Sequence, residues 1–402
     1  ASTKTLGATT ALNGNLTVSA GTLALSTLGL TVTGTSSITG TLNDDSATGT
    51  NIFVGAVTLN SGSTWSNTNN PAFTFRGGLT VNTVSTFSSG SGVYTFDTNT
   101  QTIDGTQAYT ITNVTTNITS GNGLTFTTNN PTVTTLTQGM GSSLTFSGTV
   151  PTITTLTATA INNQVQYAGS TQTVKGTTYH NLVIWGSGTK TLEATTVANG
   201  TLNAVSGTLA TGNYALTASS IVMDGGGISA GSSTISLTGT GAVFTRNTGL
   251  FTAGTSTIKL TDTSVTSKTF SGGGQTFNNL WLAGGAGGGS YTIAGSNTFN
   301  DFKDDGTIAH SILFTVAKTQ TINTFTVNGQ PGQLISIDST TTGTHALVST
   351  GSNISVDYVT VQHSVASGTG TWTAGVNSTN NNDVVTAGSG WLFTVPSCIS
   401  NV

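Results

Sequence analysis

Charged side chains are nearly missing from this sequence. Nine Lys and Arg and thirteen Asp and Glu stand among 402 residues, 5% of the chain, for a formal net charge of −4. An ordinary soluble domain is about one-quarter charged. Nine dispersed cations cannot neutralise a phosphate track, so no nucleic acid is expected as a partner. Glutamate occurs once, at Glu193, arginine only at Arg76 and Arg246, and methionine twice. With the strong helix formers so scarce, a helical protein is excluded. No apolar run approaches the roughly 18 residues of a membrane-spanning helix, so no membrane span is expected. The chain also lacks a basic-plus-apolar leader. The single cysteine, Cys398, has no partner for an internal disulfide and is either free or paired between chains.

What fills the chain is Thr (90), Gly (53) and Ser (44), with 35% hydrophobic residues. Charge-driven disorder is disfavoured, because most of the polar remainder is β-branched Thr. Apolar residues alternate with Thr or Ser in short bursts: Leu30/Val32, Leu182/Ile184, Ile235/Leu237, Ile258/Leu260, Phe325/Val327 and Ile335/Ile337. Gly and Asn clusters separate the bursts. Period-2 alternation over four to six residues signals strand, and the punctuation signals turns. No helical period persists, and the chain reads as all-β.

Internal repeats narrow the architecture. Leu124-Thr125-Phe126 and Pro131–Thr137 recur as Leu144-Thr145-Phe146 and Pro151–Thr157, a shift of 20; Gly231–Thr238 recurs as Gly254–Thr261, a shift of 23. Longer echoes pair Thr100–Gly105 with Thr171–Gly176, Tyr179–Ile184 with Phe277–Leu282, and Asn13–Ala24 with Asn199–Ala210. Units of this size match one coil of a parallel β-helix, or β-solenoid, with coils of about 20–24 residues. Each coil would hydrogen-bond to the next at about 4.8 Å, and 402 residues would make about 18 coils and a rod roughly 85 Å long. Inward residues would stack as aliphatic ladders, and neutral Thr, Ser and Asn outside would avoid like-charge repulsion. The competing folds are a string of small sandwiches, which would not require self-similarity at so short a shift, and an outer-membrane barrel, which calls for longer strands and aromatic girdles.

Residues Gly239–Phe244, Phe251–Ile258 and Thr276–Leu280, with the closing stretch Val356–His363, Thr371-Trp372 and Gly388–Phe393, resemble Thr/Gly/Asn-rich β-solenoid repeats of very long bacterial cell-surface proteins, also seen in some phage structural proteins. The similarity covers roughly residues 165–394. It implies an extracellular β-solenoid without enzymatic activity. The expected organisation is a solenoid over 1–310, a C-terminal β module over 311–394 that continues or caps it, and a tail over 395–402. A composition shift at Gly284–Gly289 and Asp301–Asp305 suggests a long loop leaving the rod.

Candidates for chemistry are few. A polysaccharide-cleaving enzyme on this fold would need clustered carboxylates with Arg or Lys, and Arg246 is the residue such an enzyme would depend on. Asp301, Asp304 and Asp305 form the densest acidic cluster and are the calcium candidate, with Asp44-Asp45 behind them; both also suit plain turns. His180, His310, His345 and His363 share no metal-ligand spacing. Asp357, His363 and Asp383 could form a triad only by converging in space. The run Gly284–Gly289 precedes neither Lys nor a helix, so it is no phosphate loop. Of five tryptophans, Trp185 and Trp281 alternate with inward Leu and Ile, which turns them outward as a glycan platform or subunit contact; Trp372 and Trp391 read as core. Asn15, Asn113, Asn117, Asn199, Asn353 and Asn377 lie in Asn-x-Ser/Thr sequons, about as many as this composition produces by chance.

No cofactor is implied. Ala1-Ser2-Thr3 suits cleavage behind a leader, and a Ser/Thr-rich, lysine-poor chain suits a protease-exposed exterior, so the expected location is extracellular. With no amphipathic segment over residues 1–20 to cap a sheet edge, end-to-end homopolymerisation is the expected mode of association. The function expected is a structural subunit of a filament, sheath or surface layer; the alternative is an adhesin or phage-fibre rod that binds surface glycans.

Overall fold

In the computed structural model of the chain the described residues are 2–45, 48–83, 86–121, 123–128, 130–284, 289–351, 353–380 and 389–394. They contain strands, turns and no helix. The chain is an all-β parallel solenoid of about 18 turns, divided between two compact units, Ala1–Lys190 and Thr191–Val402.

In the first unit the coils stack in strict register. Leu16, Ser36, Val57, Leu79, Ile103, Phe126, Phe146, Tyr167 and Ile184 are successive partners on one inward ladder, one from each coil. The shorter internal repeat is one such step: Leu124 pairs with Leu144, Phe126 with Phe146, Val133 with Ile153 and Leu136 with Leu156. An aromatic cluster of Phe53, Trp65, Phe73, Phe75 and Tyr94 fills the interior, and the Trp65 indole donates to the Tyr94 hydroxyl at 2.7 Å. That donation satisfies an N–H with no access to water.

The second unit repeats the arrangement. Leu216, Ile235, Ile258, Leu280, Phe302 and Phe325 pair in turn, again one from each coil. The expected coil length thus holds for most coils. The steps from Tyr167 to Ile184 and from Leu216 to Ile235 fall short of it, and toward the C-terminus steps run both longer, from Thr319 to Ala346, and shorter, from Ile354 to Trp372. The longer of the two internal repeats is also one step, Ile235 on Ile258 and Leu237 on Leu260. Phe244, Phe251, Phe270, Phe277 and Phe299 pack against one another, as do Phe325, Trp372 and Trp391 further along. Each buried aliphatic or aromatic side chain contributes about 1.5–3 kcal/mol of transfer free energy.

Two longer echoes now have a physical explanation. The doublets His180-Asn181 and Asn278-Asn279 each stand between two inward residues, Tyr179 and Leu182 or Phe277 and Leu280. Two consecutive outward residues shift the alternation by one and bend the chain from one face of the coil to the next. The Thr-Gln-Thr echo marks an inward glutamine at a corner. The Gln101 amide donates to Phe75 O and Asp97 O and accepts from Gly78 N; Gln172 donates to Phe146 O and Gly148 O and accepts from Gly169 N. Backbone groups freed where a strand ends are thereby satisfied without water. Gly105, which closes the first of these motifs, has φ +131° and would place a Cβ 1.9 Å from Val81 O, so no other residue fits.

The loop expected around Asp301–Asp305 is instead the end of a strand, Thr298–Asp304, paired on both sides. Alternation there is carried by Phe299, Phe302 and Asp304, and the acidic composition concealed it. Of Gly284–Gly289, residues 285–288 lie outside the described residues. The expected boundary at 310/311 falls inside the strand His310–Phe314, whose partners Ile335–Ser339 continue the stack. Cys398, Asp383 and the tail 395–402 also lie outside the described residues.

Candidate functional site

Five strands of the second unit stacked one on the next, Thr234–Leu237, Thr257–Leu260, Thr276–Leu282, Thr298–Asp304 and Thr319–Thr326, present two outward columns. Register aligns Thr234, Thr257, Asn279, Asp301 and Thr324 in one column, and Ser236, Lys259, Trp281 and Lys303 in the other. Thr abundance makes such columns neutral nearly everywhere else. Here one aromatic side chain and two cations fall on three successive coils.

Lys259 comes from the preceding coil and Lys303 from the following one, so they cover opposite faces of the Trp281 ring. Their Nζ atoms sit 3.8 and 4.0 Å from its centroid. A cation over an exposed indole face is worth about 0.5–1 kcal/mol. The Trp281 Nε1–H donates to Asp305 Oδ1 at 2.8 Å, and the same oxygen lies 3.5 Å from Lys303 Nζ. In the other column Asn279 Nδ2 donates to Thr257 Oγ1 at 3.1 Å, and Thr324 Oγ1 donates to Asp301 Oδ1 at 2.6 Å. Thr234, Thr257, Lys259, Asn279, Trp281, Asp301 and Lys303 line a shallow groove of about 330 Å³. One residue earlier on the same strands, Asn278 and Asn300 line a second groove of about 370 Å³, where Asn323 Nδ2 donates to Asn300 Oδ1 at 3.3 Å.

Trp281 therefore points outward, as its alternation implied, but its ring faces are already occupied. Trp185 is 44% exposed at the end of a first-unit strand. Trp65, Trp372 and Trp391 are core. The calcium candidates do not converge. Asp301 stays outside on Thr324, Asp305 accepts from Trp281, and Asp304 turns into the core, where its Oδ2 lies 3.1 Å from His310 Nε2. Burial pulls the His310 imidazole down, and the Asp304 carboxylate outweighs it, so the pKa is raised. Asp44 is likewise buried, accepting from Asn51 Nδ2 at 2.5 Å, while Asp45 accepts from Asn43 Nδ2 outside. Among the described residues no three His, Cys, Asp or Glu side chains are grouped to hold a metal ion.

The remaining candidates have structural tasks. His363 Nδ1 meets Asp338 Oδ1 at 2.8 Å rather than Asp357, which accepts from the backbone and side chain of Asn377. Those bonds outweigh burial and hold the Asp357 carboxyl below its ordinary range. Ser339 Oγ lies 2.9 Å from His345 Nδ1 and 3.2 Å from His363 O, which places it between the two inside the core. The Arg246 guanidinium donates to Gly249 O and Gly273 O, at 2.7 and 2.8 Å. Asn15 and Asn353 of the sequons use their carbonyl oxygens to accept from the backbone of the next coil.

Sequence reasoning missed the inward charges. Lys268, fully buried, reaches Asp262 Oδ1 at 2.9 Å and Ser264 O at 2.5 Å. The signal was present, because Lys268 is two residues from inward Phe270, and Asp304 two residues from inward Phe302. It also missed Lys259 and Lys303, which stand one coil before and one coil after Trp281.

No protein-family model matches the chain, and neither a curated protein nor a solved structure matches it.

Proposed function

We propose that the chain is an extracellular structural protein, a self-associating β-solenoid subunit of a filament, sheath or surface layer, without catalysis. One observation carries this reading: in both units parallel coils stack in register around an apolar core, and the outward columns are almost entirely Thr, Ser and Asn. A coil stabilises its neighbours and little else, so the fold extends by addition rather than closing around a substrate. The edge of any such coil offers the hydrogen-bond pattern that the next coil completes, and nearly uncharged columns do not resist a further copy. The use of Arg246 on backbone carbonyls supports the non-catalytic part.

Unfixed, purified protein imaged by electron microscopy tests the reading. Fibres with a regular axial repeat are expected, and particles that stay single at every concentration would refute self-association. A second reading, an adhesin or phage-fibre rod that holds surface glycans, is favoured by the groove beside Trp281.

A further inference from the structure

The groove beside Trp281 is unusual for this chain in concentrating charge. Lys259 and Lys303 are two of only nine cations in 402 residues, and both stand on one outward column. Two strand spacings, about 9.6 Å, separate their backbones, and the two Nζ atoms, 3.8 and 4.0 Å from the Trp281 centroid, are closer together than that. Asp305 lies 3.5 Å from Lys303, while Lys259 has no carboxylate within ion-pair distance among the described residues. Asp301 lines the same groove, and the Thr324 hydroxyl donates to one of its oxygens without neutralising the carboxylate.

We infer that this groove binds a linear acidic polysaccharide, its carboxylates on Lys259 and Lys303 and its hydroxyls on Asn279 and Thr257. The inference deepens the second reading above and is independent of self-assembly. Three features select the ligand class. First, the usual way an exposed tryptophan takes a neutral sugar is to stack a ring face on it, and both faces of Trp281 lie under ammonium groups. Trp281 instead carries both ammonium groups against its ring, while Asp305 fixes the indole through its N–H. Second, the neighbouring column supplies short neutral donors and acceptors, Thr234, Thr257 and Asn279, suited to sugar hydroxyls. Third, the groove runs along the stacking direction over four coils, about 14 Å, so a linear polymer that repeats its charge along its length lies beside both cations at once. Lysine as a compact point charge on a flexible stem suits a carboxylate presented at varied angles.

The test is titration of the full chain with polygalacturonate oligomers, with neutral cello-oligosaccharides of equal length alongside, at low and high salt. Binding of the acidic oligomer alone, weakened by salt, is expected. Lys259→Gln with Lys303→Gln should lower that affinity about tenfold or more. Lys4→Gln with Lys318→Gln removes the same charge elsewhere and should leave it unchanged. Thermal melts of all four single variants, which alter surface positions, check that folding is intact. Equal binding of the neutral oligomer would keep a glycan role and overturn the acidic class. No binding of either would overturn both. Equal loss in the two double variants would reduce the effect to net charge and overturn the site.

Discussion

Acidification should destabilise the second unit through one residue, His345. Its strand, His345–Ser349, turns the imidazole into the core, 4.9 Å from the Phe314 ring, with Nδ1 on Ser339 Oγ. Burial pushes its pKa down to about 4; Asp338 opposes the shift and His363 adds to it. An unfolded chain would protonate the same imidazole near 6.5. The folded pKa is the lower one, so between pH 6.5 and 4 the unfolded state binds more protons, and stability falls as pH falls through that window. The full difference of about 2.5 pH units corresponds to about 3 kcal/mol, of which about 2.5 kcal/mol is lost by pH 4.5. His310 runs the other way. Its raised pKa gives stability that is complete below pH 6.5 and fades as pH rises through the folded value, so it adds no slope within the window. The measurement is urea unfolding of the wild type and His345→Gln at pH 6.5, 5.5 and 4.5, with the imidazole followed by NMR. The wild type should lose stability steeply and the variant should not. Identical slopes in the two proteins, or a His345 midpoint near 6.5, would refute the reasoning.

Three further outcomes are expected. Leu136→Lys places an unpaired charge between Val114 and Leu156 on a dry ladder, and should cost at least about 3 kcal/mol; an unchanged melting curve would show that this position does not face inward. Gln101→Leu strips partners from Phe75 O, Asp97 O and Gly78 N, so chemical denaturation should register a loss of about 2–4 kcal/mol, and a variant as stable as wild type would mean water replaces the amide. Dialysis against EDTA should leave the melting temperature where it was, because Asp301, Asp304 and Asp305 each face a different partner; a marked drop would reveal a cation that these contacts do not account for.

Much of the fold is legible in the sequence because a solenoid is nearly a local structure. The inward set Leu30/Val32, Leu182/Ile184, Ile235/Leu237 and Ile335/Ile337 is buried as alternation implied. The two short repeats are inter-coil registers, residue upon residue. Less legible was anything composition disguised. Asp304 and Lys268 occupy inward positions that only a rule indifferent to charge would have assigned, and the doublets such as Asn278-Asn279 break the alternation that locates strands. The acidic stretch Asp301–Asp305 resembled a loop because carboxylates favour turns, yet Phe302 between them commits it to the core.

What the sequence determined by itself was the class, the approximate coil length and the inward or outward facing of most side chains. Each follows from strict alternation within strands and from self-similarity one coil apart, both read along the chain. Tertiary structure decided which outward residues became neighbours. Lys259, Trp281 and Lys303 meet because the turns of the two intervening coils return the chain to the same strand register each time. That coincidence is set by how every intervening bend and corner packs, Asn278-Asn279 and Asn300-Asp301 among them, and no local pattern encodes it.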